Sequence, residues 1–407
     1  MIPSTQEQLN RFIDEQDSFI SLQETLKQTD TDIDWLLKQL HKLGWHTHWL
    51  EEQAFLLAET AIHAEHTLLI FNQLSSPSSN KGRRWNPELL ACLAALQAYH
   101  HVVQDAPLHI KWLIDTTDGN LERQESTFKY HHELLQADAC LWEPLQILLD
   151  AQETPYLVAG TQGQLCVILE AGLNAAHPDR EAIIPDPAWR LIWALNSIKN
   201  ASEEIEIEGF YDSLVPLEDE ESEYLSSLPD NASWLAQRWG LNQLLLNLHG
   251  FQLHYTRFLV PGCTIQYLSG DQHPSSRKAR ARLRFSLVPG QEPGEIAQAL
   301  QSHLLARGFD DIQTRVEVAY PAVRTPLTDP FVQMVSKAIG EIYGREPYLL
   351  PLVDSERPMH PLKLVHNVPI LSPGPRLDKD DPASNINENA FVARVKQISA
   401  ILACFQV

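Results

Sequence analysis

Leu68-Leu69-Ile70-Phe71-Asn72-Gln73-Leu74-Ser75-Ser76-Pro77 is the stretch on which the fold turns. Four apolar residues in a row, closed by an Asn-Gln pair and a Ser/Pro cluster, read as a fully buried strand emptying into a loop. In an open α/β sheet, ligands bind at the carboxyl ends of the strands. Here that end carries Gln73 and Ser75, neither a good metal donor nor a good proton-transfer group.

Downstream, a short polar link leads to a helix from Pro87 to about Val103, with proline in the first turn, where its missing N–H costs nothing. His109–Ile114 and Ala139–Trp142 are the next strands, the second ending at Glu143-Pro144. Upstream, Trp45–Leu50 and Ala54–Ala61 are short strand candidates, preceded over 5–44 by helically spaced apolar residues that stop at Gly44. Alternating strands and helices predict an α/β domain with a mostly parallel sheet covered by helices. From Gly163 the texture changes. Strands over Gln164–Glu170, Arg280–Val288 and Ile312–Val318, with helices over Asp186–Ile198 and Ile296–Leu305, predict an inserted α+β layer with a small antiparallel sheet. After Pro321 the α/β character resumes, with helices around Phe331–Ile342 and from about Asn389, and a strand at Val368–Leu371. The expected division is 1–162 with 321–407 as one domain and 163–320 as the insert.

A chain of 407 residues is long for one ordinary domain, and 44% hydrophobic content supports a substantial core. No run approaches the length of a membrane-spanning helix, and no signal peptide is expected at Met1–Glu7. The formal charge of −22 repels phosphate backbones, so nucleic-acid binding is not expected. Cys92, Cys140, Cys166, Cys263 and Cys404 lie far apart among apolar neighbours, as in a reduced cytoplasmic protein. The acidic run Glu203–Asp230 reads as a solvated face, and Trp112, Trp142, Trp189 and Trp193 read as core.

Several motifs occur in the order and spacing of one family. They are the opening strand; Gly209-Phe210-Tyr211-Asp212; Leu287-Val288-Pro289-Gly290-Gln291; Tyr320-Pro321-Ala322 with Asp329-Pro330-Phe331; and Asn387-Glu388. The chain resembles the dinuclear-zinc metallohydrolases that include carboxypeptidase G, the aminoacylases, succinyl-diaminopimelate desuccinylase and the carnosine dipeptidases, closest to the dipeptidase-like branch. The resemblance spans roughly 35–400 and implies a zinc-exopeptidase-like α/β domain with an inserted lid that carries the dimer contact. It also implies two zinc ions, a water between them and a glutamate base, and such zinc sites need imidazole, carboxylate or thiolate donors.

Position by position, that site is degenerate. Gln73 stands where the first histidine ligand is implied, Ser75 for the aspartate that steadies it, and Asn86 for the bridging aspartate. Thr117-Asp118 matches the pair of glutamates that supplies base and ligand, and Ser384 the last histidine. Only Glu143, with Asp118, keeps the right chemistry. His177 falls near the lid histidine that reaches the substrate across the dimer, and Ser286 stands for a lid arginine.

Rival sites are weaker. His63-x-x-His66 lacks the His-Glu-x-x-His helix context, His46-x-His48 lacks a third ligand, and His100-His101 and His131-His132 read as solvated. No Gly-x-Ser-x-Gly elbow or Cys-x-x-Cys occurs. The expectation is a catalytically inactive homologue without catalytic residues or bound zinc, cytoplasmic, and a homodimer or a heterodimer with a catalytic paralogue. It would bind a peptide-like or acyl-amino-acid ligand in the old cleft. The rivals are an active amide hydrolase built on Glu143 and Asp118, and a purely structural subunit with a closed cleft.

Overall fold

The structure is a computed structural model that describes residues 4–15, 33–62, 64–74, 87–103, 108–117, 119–149, 154–173, 185–273, 276–363, 366–377 and 388–405. Ser75, Asn86, Asp118, His177, Ser384 and His63 lie outside the described residues.

The strands, numbered along the chain, are β1 (His46–Leu50), β2 (Phe55–Glu59), β3 (His66–Gln73), β4 (Leu108–Asp115), β5 (Ala139–Leu141), β6 (Tyr156–Val158), β7 (Gly160–Thr161), β8 (Gly163–Leu173), β9 (Gly262–His273), β10 (Ser276–Leu287), β11 (Gln313–Tyr320), β12 (Val323–Arg324), β13 (Tyr348–Leu350) and β14 (Ile370–Gly374). The larger sheet has the order β1-β2-β4-β3-β5-β14-β6-β13. Its centre, β4-β3-β5-β14, is parallel, so the carboxyl ends of these four strands share one edge.

The opening strand forms as its apolar run requires. Leu68 and Ile70 face a core with the helices Pro87–Val102, Pro330–Tyr343 and Glu388–Cys404, while Leu69 and Phe71 face a second core with Trp142 and Phe128. Phe71 stacks on Trp142 at 4.0 Å between ring centroids. Asn72 is buried too, because its side-chain oxygen accepts a hydrogen bond from Trp112 Nε1 at 2.8 Å.

The smaller sheet has the order β11-β8-β10-β9, all neighbours antiparallel. Strict alternation along β10 buries Ala279, Ala281, Leu283 and Phe285 against the helices Pro187–Ile198 and Pro293–Ala306. Asp186 caps the first of these helices, accepting from Ala188 N at 2.8 Å. Two motif segments meet here. Gln291 Nε2 donates to Phe210 O at 2.7 Å, and Gly290 (φ +96°) lies so close to Ser213 O that a β-carbon would clash.

The stretch between the two sheets departs from the expected separation. Leu225, Leu228 and Phe258, from the helices Asp219–Ser226 and Gly250–Leu259 and the turn between them, join the core beneath β6 instead of the smaller sheet. The acidic run is accordingly not all solvated: Glu221 is buried, accepts from Leu327 N at 2.9 Å and pairs with Arg324 at 3.1 Å. Trp112 and Trp142 are core, whereas Trp189 and Trp193 are 57% and 55% exposed. All five cysteines are free thiols. No helix among the described residues is long and apolar enough to cross a membrane.

Candidate functional site

Gln73 ends β3 directly opposite Asp115, which ends β4. Two residues past the end of β5, Glu143 returns beneath them: Gln73 N donates to Glu143 Oε2 at 3.3 Å. The turn carrying Glu143 is pinned by β14, since Ser372 Oγ donates to Glu143 O at 2.7 Å and accepts from Leu145 N at 3.0 Å. The parallel order of β3, β5 and β14 thus gathers residues far apart in sequence.

Asp115 is fully buried and fully engaged. Its Oδ1 accepts from Thr117 N at 2.7 Å and Thr117 Oγ1 at 2.6 Å, and its Oδ2 from Gln124 Nε2 at 2.6 Å. Thr117 therefore closes an Asx-type turn. The backbone then passes Gly119 (φ +74°), against which the Gln73 amide packs so closely that a β-carbon there would fall 2.3 Å from Nε2.

Glu143 is the group whose environment sets the chemistry. Arg357 Nη1 donates to its Oε2 at 2.7 Å in an ion pair that is almost wholly shielded at the carboxylate. Its other oxygen, Oε1, is buried without a hydrogen-bond partner among the described residues. Burial pushes the carboxyl above the ordinary carboxylate range, opposed by Arg357, by Arg376 and by the Gln73 N–H. An amide, a carboxylate and a guanidinium thus lie side by side at the strand ends, groups suited to recognising an amide N–H beside an anionic group.

Of the positions named from the sequence, Gln73, Thr117 and Glu143 come together; Asn86, Asp118, Ser384, Ser75 and His177 lie outside the described residues. Sequence reasoning passed over Asp115, one strand position from Gln73, and Arg357, which reaches Glu143 across 214 residues. The signal for Asp115 was present, as an acid closing an apolar strand. No local spacing could have linked Arg357 to Glu143. Of the rival histidines, His48 pairs with Glu59 at 3.5 Å and His131 with Glu51 at 3.3 Å, and His101 stacks on Phe12 at 4.4 Å.

No family profile matches the sequence, and no curated protein does. Solved structures do match. An M20 family metallo-carboxypeptidase, Sso-CP2 from Sulfolobus solfataricus, is 22% identical with TM-score 0.76 and covers 92% of this chain and 94% of its own. Human carnosine dipeptidase 1 is 15% identical over the whole of both chains with TM-score 0.74. The di-peptidase Dug1p from Saccharomyces cerevisiae is 15% identical over 99% of both with TM-score 0.73. These likenesses show that the chain has the M20 metallopeptidase fold, as the motifs implied.

One expectation is corrected by these comparisons. Bacillus subtilis YXEP, which shares the fold with TM-score 0.51, is a dinuclear metal binding peptidase of the M20 family. The fold is therefore one that holds a metal pair, and the expected absence of a bound metal does not stand. Gln73, Asp115 and Glu143 do not themselves fit a zinc pair. Gln73 offers an amide, both Asp115 oxygens are taken, and Glu143 is tied to Arg357. Among the described residues no group of three or more His, Cys, Asp or Glu side chains is placed to hold a metal ion.

Proposed function

We propose that this chain, built on the fold of the M20 metallopeptidases, binds a peptide-like or acyl-amino-acid ligand at the strand ends without hydrolysing it. The observation that carries this reading is the state of Glu143. One oxygen is committed to Arg357 and the other is buried and free to accept an amide N–H. Although burial raises its affinity for a proton, Oε2 is occupied by Arg357 and Oε1 is shut away from solvent, so the carboxylate is placed to accept from a bound donor and not to reach an attacking water. Gln73 completes a set of groups that can bind a peptide but not attack it.

The relatives with this fold are peptidases, so the test is a direct one. Purified protein is mixed with a panel of dipeptides and N-acyl-amino acids, following thermal stability and product formation together. A raised Tm with at least one ligand is expected, with affinity weakened about tenfold in Arg357→Lys, which loses the fork geometry. Chelator-sensitive hydrolysis of any of these compounds would overturn the reading.

We take the assembly to be a dimer of identical chains. Trp189, Ile192 and Trp193 on the helix Pro187–Ile198, with Ile265 and Leu268 on the edge strand β9 beside it, form an exposed apolar surface that supports contact with a second copy.

A further inference from the structure

The smaller sheet buries one face under its two helices and leaves the other open. On the open face, Lys278, Arg280, Arg282 and Arg284 occupy alternate positions of β10, opposite in register to the buried Ala279, Ala281, Leu283 and Phe285. Arg315 joins them from β11, where it lies across Ile168 of β8 from Arg282. The carboxylates on this face are shared. Glu170 takes Lys278 at 2.7 Å and Arg280 at 2.5 Å, Glu317 takes Arg282 and Arg315, each at 2.8 Å, and Asp354 takes Arg284. These five cations share three carboxylates in ion pairs, and Asp271 of β9 stands across from Lys278 in register, which leaves an excess of one positive charge among these residues in a chain whose formal charge is −22.

A cavity of about 400 Å³ opens on the same face, lined by Ile168, Glu170, Tyr267, Arg280 and the residues 313–315. Ile168, nearly covered, supplies an apolar floor between the charged rows, and Tyr267 a flat wall. We propose that this face is a docking surface for an extended, acidic polypeptide segment of a partner protein. Cations two residues apart on a strand stand roughly 6.7 Å apart, which is also the repeat of same-side side chains on an extended peptide. A strand laid along β10 can therefore place successive carboxylates against Lys278, Arg280 and Arg282 in register, whereas a compact anion spans at most a neighbouring pair, as Glu170 does with Lys278 and Arg280. Repulsion from the rest of the acidic molecule leaves this stripe as the surface that an acidic segment approaches. The proposal does not depend on what binds beside Glu143.

Fluorescein-labelled hexaglutamate, hexalysine and an oligo-thymidylate of equal charge are titrated with the full chain at low and moderate salt, following anisotropy. The charge reversals Arg280→Glu and Arg315→Glu are combined in one variant, since these side chains are 51% and 69% exposed and the core does not need them. Unchanged circular dichroism confirms that the variant folds. Hexaglutamate is expected to bind the natural chain, to weaken about tenfold or more on adding salt, and to be lost in the variant, while hexalysine does not bind. The proposal fails if hexaglutamate does not bind, or binds the variant equally well. It also fails if the oligo-thymidylate binds more tightly than hexaglutamate, or if the reversal abolishes self-association of the chain, which would make a second copy the occupant.

Discussion

Glu143 sits in the interior with Arg357 against one oxygen at 2.7 Å and no partner for the other among the described residues. Removing the guanidinium in Arg357→Met leaves a buried carboxylate without its counter-charge, an error that costs about 3–5 kcal/mol. The sign of its pH dependence follows from the raised carboxyl. An acid whose folded value lies above its unfolded one binds more protons when folded, so stability declines as pH rises from the unfolded value of about 4.3 through the folded one. Arg357 opposes that rise, and its loss enlarges it. Urea unfolding of Arg357→Met should therefore show its largest deficit near neutral pH and a shrinking one on acidification. The double variant with Glu143→Gln should recover most of the loss; a deficit independent of pH would refute the account. Gln73 and Glu143 were legible in the sequence because each closes an apolar strand run. Arg357 was not, because its role exists only once the 351–363 stretch is laid beneath β5.

At the scale of elements, the helix Pro187–Ile198 repeats the same lesson. Its cap, proline and apolar content made its limits readable to within a residue. Its outward face was misread, since Trp189 and Trp193 stand one turn apart with ring centroids 6.1 Å from each other, in solvent. Apolar residues mark a helix as amphipathic without saying what covers them, and here two opposite faces carry them. If this surface joins two copies, Trp189→Glu with Trp193→Glu should shift the chain from dimer to monomer in sedimentation equilibrium, with a change in monomer stability of about 0.5 kcal/mol or less, as for exposed positions. A dimer that persists in the double variant would remove this face from consideration. Strand β10 was legible from its alternation, and β3 from its unbroken apolar run. By contrast β6, β9 and β13 were passed over, because short or half-exposed strands carry no distinctive period.

Across the molecule as a whole, burial acts on several histidines in the same direction. His254, His303, His360 and His366 are each held below their ordinary value, with desolvation the first cause. His360, against Glu125 at 2.6 Å and stacked on Tyr320 at 4.5 Å, ties the helix Leu121–Tyr130 to the end of β11. A group whose folded value is depressed binds its proton more readily unfolded. Stability is then fully present above about pH 6.5 and is lost as pH falls below it, through the folded values. Tm is expected to drop by several degrees between about pH 7.5 and about pH 5.5. His254→Gln, which keeps a donor for the Pro229 carbonyl, should flatten the slope, and an unchanged slope would discount the histidines.

The larger sheet has one more consequence, for the time during which the protein is made. Strand β14 lies between β5 and β6, yet it is the last of the described strands, some 200 residues behind them. On the ribosome, the emerging polypeptide therefore holds two half-sheets with raw inner edges until Ile370–Gly374 has left the exit tunnel. The mature molecule, with the gap filled, shows no trace of that vulnerability. Nascent chains stalled before Ile370 should be the species that chaperones hold and that aggregates, because unpaired strand edges invite pairing with other chains.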